Sequence, residues 1–134
     1  MNYYLNVLRN YATFSGRARR KEFWYFALFN FIFEFIIQVT DKFIVTTFNM
    51  NHDNMNFDNF FVFGYLNLVY SIFTIIPSIA VSVRRLHDVG KSGTSLLIVL
   101  IPFIGVIWFL LVLFTDSNQE ENQYGPNPKN NPVV

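Results

Sequence analysis

The sequence predicts an all-α membrane protein: a small bundle of three transmembrane helices with an N-terminal amphipathic interfacial helix. Three observations lead there. The 134 residues are 52% hydrophobic and only 14% charged, whereas a soluble domain carries about 25% charged residues. The deficit is concentrated in three apolar windows, 23–43, 61–83 and 94–114, each near the ~20 residues a helix needs to cross a hydrocarbon core of about 30 Å. Beside those windows Lys and Arg gather in two short clusters, the bias that holds a segment in the cytoplasm. The chain thus reads as an N-terminal helix and basic segment (1–22), a three-span bundle (23–114) and a polar tail (115–134). It has no cysteine, which excludes a disulfide framework and thiolate metal sites. No small-residue cleavage pattern follows the first apolar run, so a cleavable secretory signal is not expected.

Met1–Phe14 fits a short helix, with Tyr4, Leu8 and Tyr11 at helical spacing and Leu5 and Ala12 beside them. Tyrosine favours the membrane–water boundary, so the helix is expected to lie on the bilayer, with packing on protein the alternative. Ser15 is the expected N-cap of the next helix. Arg17, Arg19, Arg20 and Lys21 follow it. They fix this end in the cytoplasm and attract anionic head groups, at about 1 kcal/mol per charge near the surface.

Span one opens on Trp24 and Tyr25, suited to the aromatic belt. Its polar residues Asn30, Glu34, Gln38 and Asp41 share one helical face. Glu34 sits near mid-span, where a lipid-exposed charge is costly, so it should face protein. The Asn-rich stretch 47–59 holds His52, Asp53, Asn56 and Asp58, without the spacing or turn glycine of a calcium loop. Lys42 is the only basic residue near it, which suits a solvated outer loop. In span two Asn67, Ser71, Thr74, Ser78 and Ser82 share a face, which is expected to pack on the polar face of span one, bringing Glu34 to Ser71 or Thr74. Pro77 removes a backbone donor within this span.

Arg84–Gly93 reads as a second cytoplasmic loop, carrying Arg84, Arg85, His87, Asp88 and Lys91. Gly90-Lys91-Ser92 lacks the upstream glycine of a phosphate loop. His87 and Asp88 are adjacent, so on a helix they point about 100° apart and do not face each other. If both basic segments are cytoplasmic, Glu22 or Asp88 should pair with an arginine of the other segment. Span three carries Pro102 and Gly105 near its middle. Its 21 residues suit one crossing better than two, which need about 40; a re-entrant hairpin is the alternative. The tail, rich in Asn, Gln and Pro, suits an irregular or disordered segment, with turn chemistry at Gly125-Pro126-Asn127-Pro128.

Four ordered motifs carry a resemblance that spans nearly the whole chain: Ser15-Gly16-Arg17-Ala18-Arg19-Arg20-Lys21-Glu22-Phe23-Trp24; Arg84-Arg85-Leu86-His87-Asp88 with Lys91-Ser92-Gly93; Ile101-Pro102-Phe103-Ile104-Gly105; and Asn122-Gln123-Tyr124-Gly125-Pro126-Asn127-Pro128. Together they resemble the YhaH/YhaI-type small bacterial inner-membrane proteins, the domain of unknown function 805 family. That family often has Trp where Thr94 stands here. The resemblance implies a multi-pass inner-membrane protein and brings no established activity.

The expected function is accordingly a structural or interaction protein with its N-terminus in the cytoplasm. Its basic face, made of Arg17, Arg19, Arg20, Arg84, Arg85, His87, Asp88 and Lys91, would contact anionic lipid or a protein partner, including a second copy of the chain. Two alternatives stand beside it: an oligomeric transporter or channel subunit using Glu34, and a membrane enzyme acting on phosphate-bearing head groups. No catalytic set, metal site, cofactor or nucleic-acid partner is expected.

Overall fold

A computed structural model describes residues 2–47 and 57–130, with side chains for 2–44, 46–47 and 66–130. His52, Asp53, Asn56 and the Asp58 side chain, all in the expected outer loop, lie outside the described residues. The described residues form four α-helices and one 3-10 helix: α1 (Asn2–Arg9), α2 (Arg20–Thr47), α3 (Phe57–Asp88), the 3-10 helix Gly93–Leu100, and α4 (Ile104–Phe114). They contain no strand, only an isolated bridge between Asn122 and Gly125. The all-α expectation holds for them.

Two compact units divide the chain, Met1–Ala27 with Ile76–Val134, and Leu28–Ile75. Arg20–Ile44 and Leu66–Asp88 are long and apolar enough to cross a membrane, and only 6% and 28% of their most apolar stretches are buried. A soluble protein does not leave so continuous an apolar surface in water, so lipid is the medium that satisfies these helices.

Within Leu28–Ile75, Phe31, Phe35, Phe43, Leu68 and Ile72 are exposed. Hydroxyls bond mainly inside their own helix: Thr40 Oγ1 donates to Ile36 O (2.8 Å) and Thr74 Oγ1 to Tyr70 O (3.0 Å). That pattern satisfies these hydroxyl protons without a partner from lipid. The expected contact of Glu34 with Ser71 or Thr74 is not formed. Instead Tyr70 Oη donates to Asn30 Oδ1 at 2.7 Å, and Ser71 Oγ pairs with Asn67 Oδ1 (3.3 Å) on its own helix. The long tyrosine reaches the neighbouring helix where a serine cannot.

In the other unit α1 packs on protein. Its Val7 is fully buried with Ala18, Phe26 and Val81, and Tyr3 and Tyr4 stack on Tyr25 and Phe26 with ring centroids 5.5 and 5.6 Å apart. The helix also ends earlier than expected, at Arg9. Ser15 caps no helix, because α2 starts only at Arg20. Gly16, at φ +84°, turns the chain there. The expected loop at Arg84 is likewise the last turn and a half of α3. That helix ends in a Schellman motif: Gly90 adopts φ +73°, its N–H bonds His87 O (3.0 Å), and the Lys91 N–H bonds Leu86 O (2.9 Å).

The third apolar window is not one helix. The 3-10 helix and α4 are separated at Ile101–Phe103, where Ile104 N donates to Pro102 O (2.7 Å) and Phe103 holds φ +62°, ψ −59°. This is a γ-turn of the rare strained form, and Pro102 supplies no N–H to continue a helix. Each arm is about 16 Å long at 2.0 Å per 3-10 residue and 1.5 Å per α residue, half of a ~30 Å core. A Cβ on Gly105 would overlap Ile98 O and lie 2.8 Å from Val99 Cα, so the arms fold back on each other at backbone contact. Both ends return to α3. A Cβ on Gly93 would sit 2.8 Å from Val83 Cγ1, and Arg85 donates to Thr115 O. The single crossing expected for 94–114 is therefore replaced by a hairpin. Its tip is its most exposed part, with Leu100 79% and Phe103 82% exposed.

Alanine at Gly105 must push two backbone segments apart. Such overpacking costs about 1–3 kcal/mol, and the Gly105→Ala protein is expected to unfold at a correspondingly lower denaturant concentration in detergent micelles. Unchanged unfolding would refute the folded-back hairpin.

Candidate functional site

The charged residues of the first and second basic segments meet in the unit formed by Met1–Ala27 and Ile76–Val134. Asp88 lies at their centre. Its Oδ1 accepts from Arg17 Nε at 3.0 Å, with the two side chains 1% and 0% exposed. Its Oδ2 accepts from Arg85 and from Ser117 Oγ, the latter at 2.5 Å. A second buried pair joins Arg84 to Glu22 Oε1 at 2.9 Å. Both carboxylates thus pair with an arginine of the other segment, as the sequence suggested for at least one of them. Buried charges require this degree of pairing, since desolvation of an unpaired ion costs several kcal/mol.

Most other donors of the arginines in this unit serve backbone carbonyls. Arg17 donates to Glu120 O (2.9 Å), Gly125 O (3.1 Å) and Asn118 O (2.6 Å). Arg19 donates to Pro128 O at 2.7 Å. Arg85 donates to Val112 O (3.3 Å) and Leu113 O (3.5 Å), and Arg20 to Phe114 O (3.0 Å), while Leu111 O accepts from Thr115 N at 3.0 Å. The four carbonyls that the end of α4 leaves without a helical donor, those of Val112, Leu113, Phe114 and Thr115, are all occupied. Two guanidinium groups there also oppose the negative end of the helix dipole. Nε and NH2 of Arg84 and Nε of Arg85 have no acceptor among the described residues.

The tail is irregular, as expected, yet it is held in place. His87 stacks face to face on Tyr124, with centroids 3.7 Å apart and planes at 3°. Its Nδ1 lies 3.2 Å from Gly16 O, which it reaches as a donor. Asn122 Nδ2 donates to His87 O (3.0 Å). Asn122 and Asn127 each accept from the backbone N–H two residues on, both at 2.9 Å. These are Asx turns, legible in Asn-x-Tyr and Asn-Pro-Lys. The buried Val7, Ala18 and Ser117 and the half-buried Tyr124 carried no comparable signal. Alternation and spacing mark faces of helices, and these residues are defined by where separate segments meet.

The structure therefore places Arg17, Arg84, Arg85, His87 and Asp88 inside a packed cluster. Arg20 and Lys91 stay exposed, and Arg19 is half-buried. Glu34, Ser71 and Thr74 belong to the other unit. Ser117 donates its hydroxyl to Asp88, and no nucleophile–base–orienter set is assembled around His87 among the described residues. Among the described residues no group of three or more His, Asp or Glu could hold a metal ion.

A chain with lipid-facing helices and a charged end folded on itself is a helical integral membrane protein. It belongs to the family described as protein of unknown function DUF805, whose model matches residues 11–126. It is 40% identical over 134 residues to the inner membrane protein YhaH of Escherichia coli K12, across 98% of this chain and 100% of that protein. It is 39% identical over 131 residues to the inner membrane protein YhaI of the same strain, across 96% of this chain and 97% of that protein. No solved structure matches the chain significantly.

Truncating either partner of the Arg84–Glu22 pair leaves a buried unpaired charge, which costs about 3–5 kcal/mol. Arg84→Ala and Glu22→Ala are each expected to show that loss in denaturant unfolding. The double replacement Arg84→Met with Glu22→Leu should recover most of it, because it also removes the unserved N–H groups of Arg84. A double variant as unstable as the two losses summed would contradict the pairing.

Proposed function

We propose that this chain is a structural or interaction protein of the bacterial inner membrane, with its charged end in the cytoplasm against anionic head groups. Two helices cross the bilayer, and the hairpin 93–115 enters and leaves on the cytoplasmic side. The observation that carries this reading is the fate of the arginines. Arg17 and Arg85 are bound by Asp88 and backbone carbonyls, and Arg84 by Glu22, so their role is to close this end of the protein. Of the ten Lys and Arg, Lys42 alone lies in Leu28–Ile75, and cationic segments remain on the cytoplasmic side. Arg20, Lys21, Lys91 and Lys129 are exposed around the cluster, where anionic head groups are the natural counter-ions.

Protein purified from bacterial membranes in neutral detergent should retain phosphatidylglycerol in preference to phosphatidylethanolamine, relative to the parent membrane. Quantification of the co-purifying phospholipid by mass spectrometry checks this. Retention in the membrane's own ratio would contradict the basic-rim reading.

A further inference from the structure

Four cations surround one cleft outside the buried cluster. Arg19, Arg20, Lys21 and Lys129, with Ser117, line a space of about 250 Å³. Asp116 stands beside it. A single oxygen of that carboxylate, Oδ1, accepts from Ser117 N at 2.8 Å, Lys129 Nζ at 2.7 Å and Arg20 NH2 at 3.1 Å. The side chains of Arg20, Lys129 and Asp116 are all close to half exposed, unlike every ion pair of the buried cluster. Hydrogen bonds from Lys129 and then from the Ser117 amide hold the Asp116 carboxyl below the usual carboxylate range, so it is ionised at neutral pH. Arg20 and Lys129 share this one negative charge, and Lys21 makes no ion pair among the described residues.

We propose that this cleft binds a phosphate group, with the Asp116 carboxylate as the internal anion that holds its donors in place and yields them to the ligand. A phosphate, as a diester or free, offers at least two non-bridging oxygens as acceptors, and Arg20 can meet two of them at once. An exposed ion pair is worth about 1 kcal/mol or less, so its donors turn to a second anion at little cost. Depth favours a lipid head group as the source. Arg20 and Lys21 directly precede the apolar run of α2. Trp24 packs on Phe114 with ring centroids 5.1 Å apart, three residues before Ser117 at the cleft, and such aromatics mark the interface. This inference rests on the cytoplasmic basic rim of the preceding reading and names the place where that rim is built to hold one group.

The test uses the full-length protein in neutral detergent and measures bound phosphatidylglycerol per chain. Lys129→Gln should lower retention about fivefold and Asp116→Asn should raise it about fivefold, the change expected for one charge near the surface. Both side chains are exposed, so neither change threatens the fold. Lys42→Gln should leave retention unaltered. If the wild type prefers phosphatidylglycerol while both cleft variants match it, the site is refuted and the general basic rim survives. No preference in the wild type overturns both. Inorganic phosphate added as a competitor separates the sources: displacement of the lipid supports a site for free phosphate, and lipid retained against it supports a head-group site.

Discussion

The Asp88 carboxylate is the constraint on which the charged end of this protein depends. It occupies the last helical position of α3, where the helix dipole disfavours a negative charge, and it is fully buried. Neither condition is tolerable without compensation. Arg85, one turn back, supplies part of it. The rest comes from afar, from Arg17 seventy-one residues earlier and Ser117 twenty-nine later. An ionised Asp88 therefore requires the N-terminal segment and the tail to close over the end of α3.

The same arginines solve a backbone problem. A helix that ends near lipid leaves four carbonyls without donors, and an unsatisfied polar group there costs several kcal/mol. Arg85 and Arg20 meet that need for α4, and Arg17 does so for the irregular tail. Bidentate, planar guanidinium groups suit both tasks together, a carboxylate on one edge and carbonyls on another, which an ammonium does less well. The charge density that reads as a ligand surface in the sequence is thus mostly internal. What remains for solvent and lipid is a smaller rim around Arg20, Lys21, Lys91 and Lys129.

Helix type and membrane character were legible in the sequence because both depend on local composition. The apolar windows around Phe23–Phe43 and Phe61–Val83 mark α2 and the middle of α3. Opposite charges in two basic segments announced that Glu22 or Asp88 would pair with an arginine of the other segment, and both do. The third window misled for a physical reason: 21 apolar residues satisfy a crossing and a hairpin equally, and the decision lies in the turn at Pro102–Phe103 and the close approach at Gly105. Helical periodicity placed Glu34 opposite Ser71 and Thr74, yet the contact formed is Tyr70 to Asn30. Side-chain reach decides such pairs, and spacing does not report it. The tail's role was hidden because its partners are backbone carbonyls, which every residue has.

The central claim is that the latch around Asp88 gathers the start of α2, the end of α3 and the tail on one side of the membrane. The chain has no cysteine, so single cysteines at Ser92 and Asn130 report the matter directly. With a membrane-impermeant thiol reagent applied to intact cells, both positions should stay unlabelled and both should react once the cells are opened. Labelling of Asn130 from outside, with Ser92 protected, would mean that the third apolar segment crosses the bilayer, and the latch described here could not form.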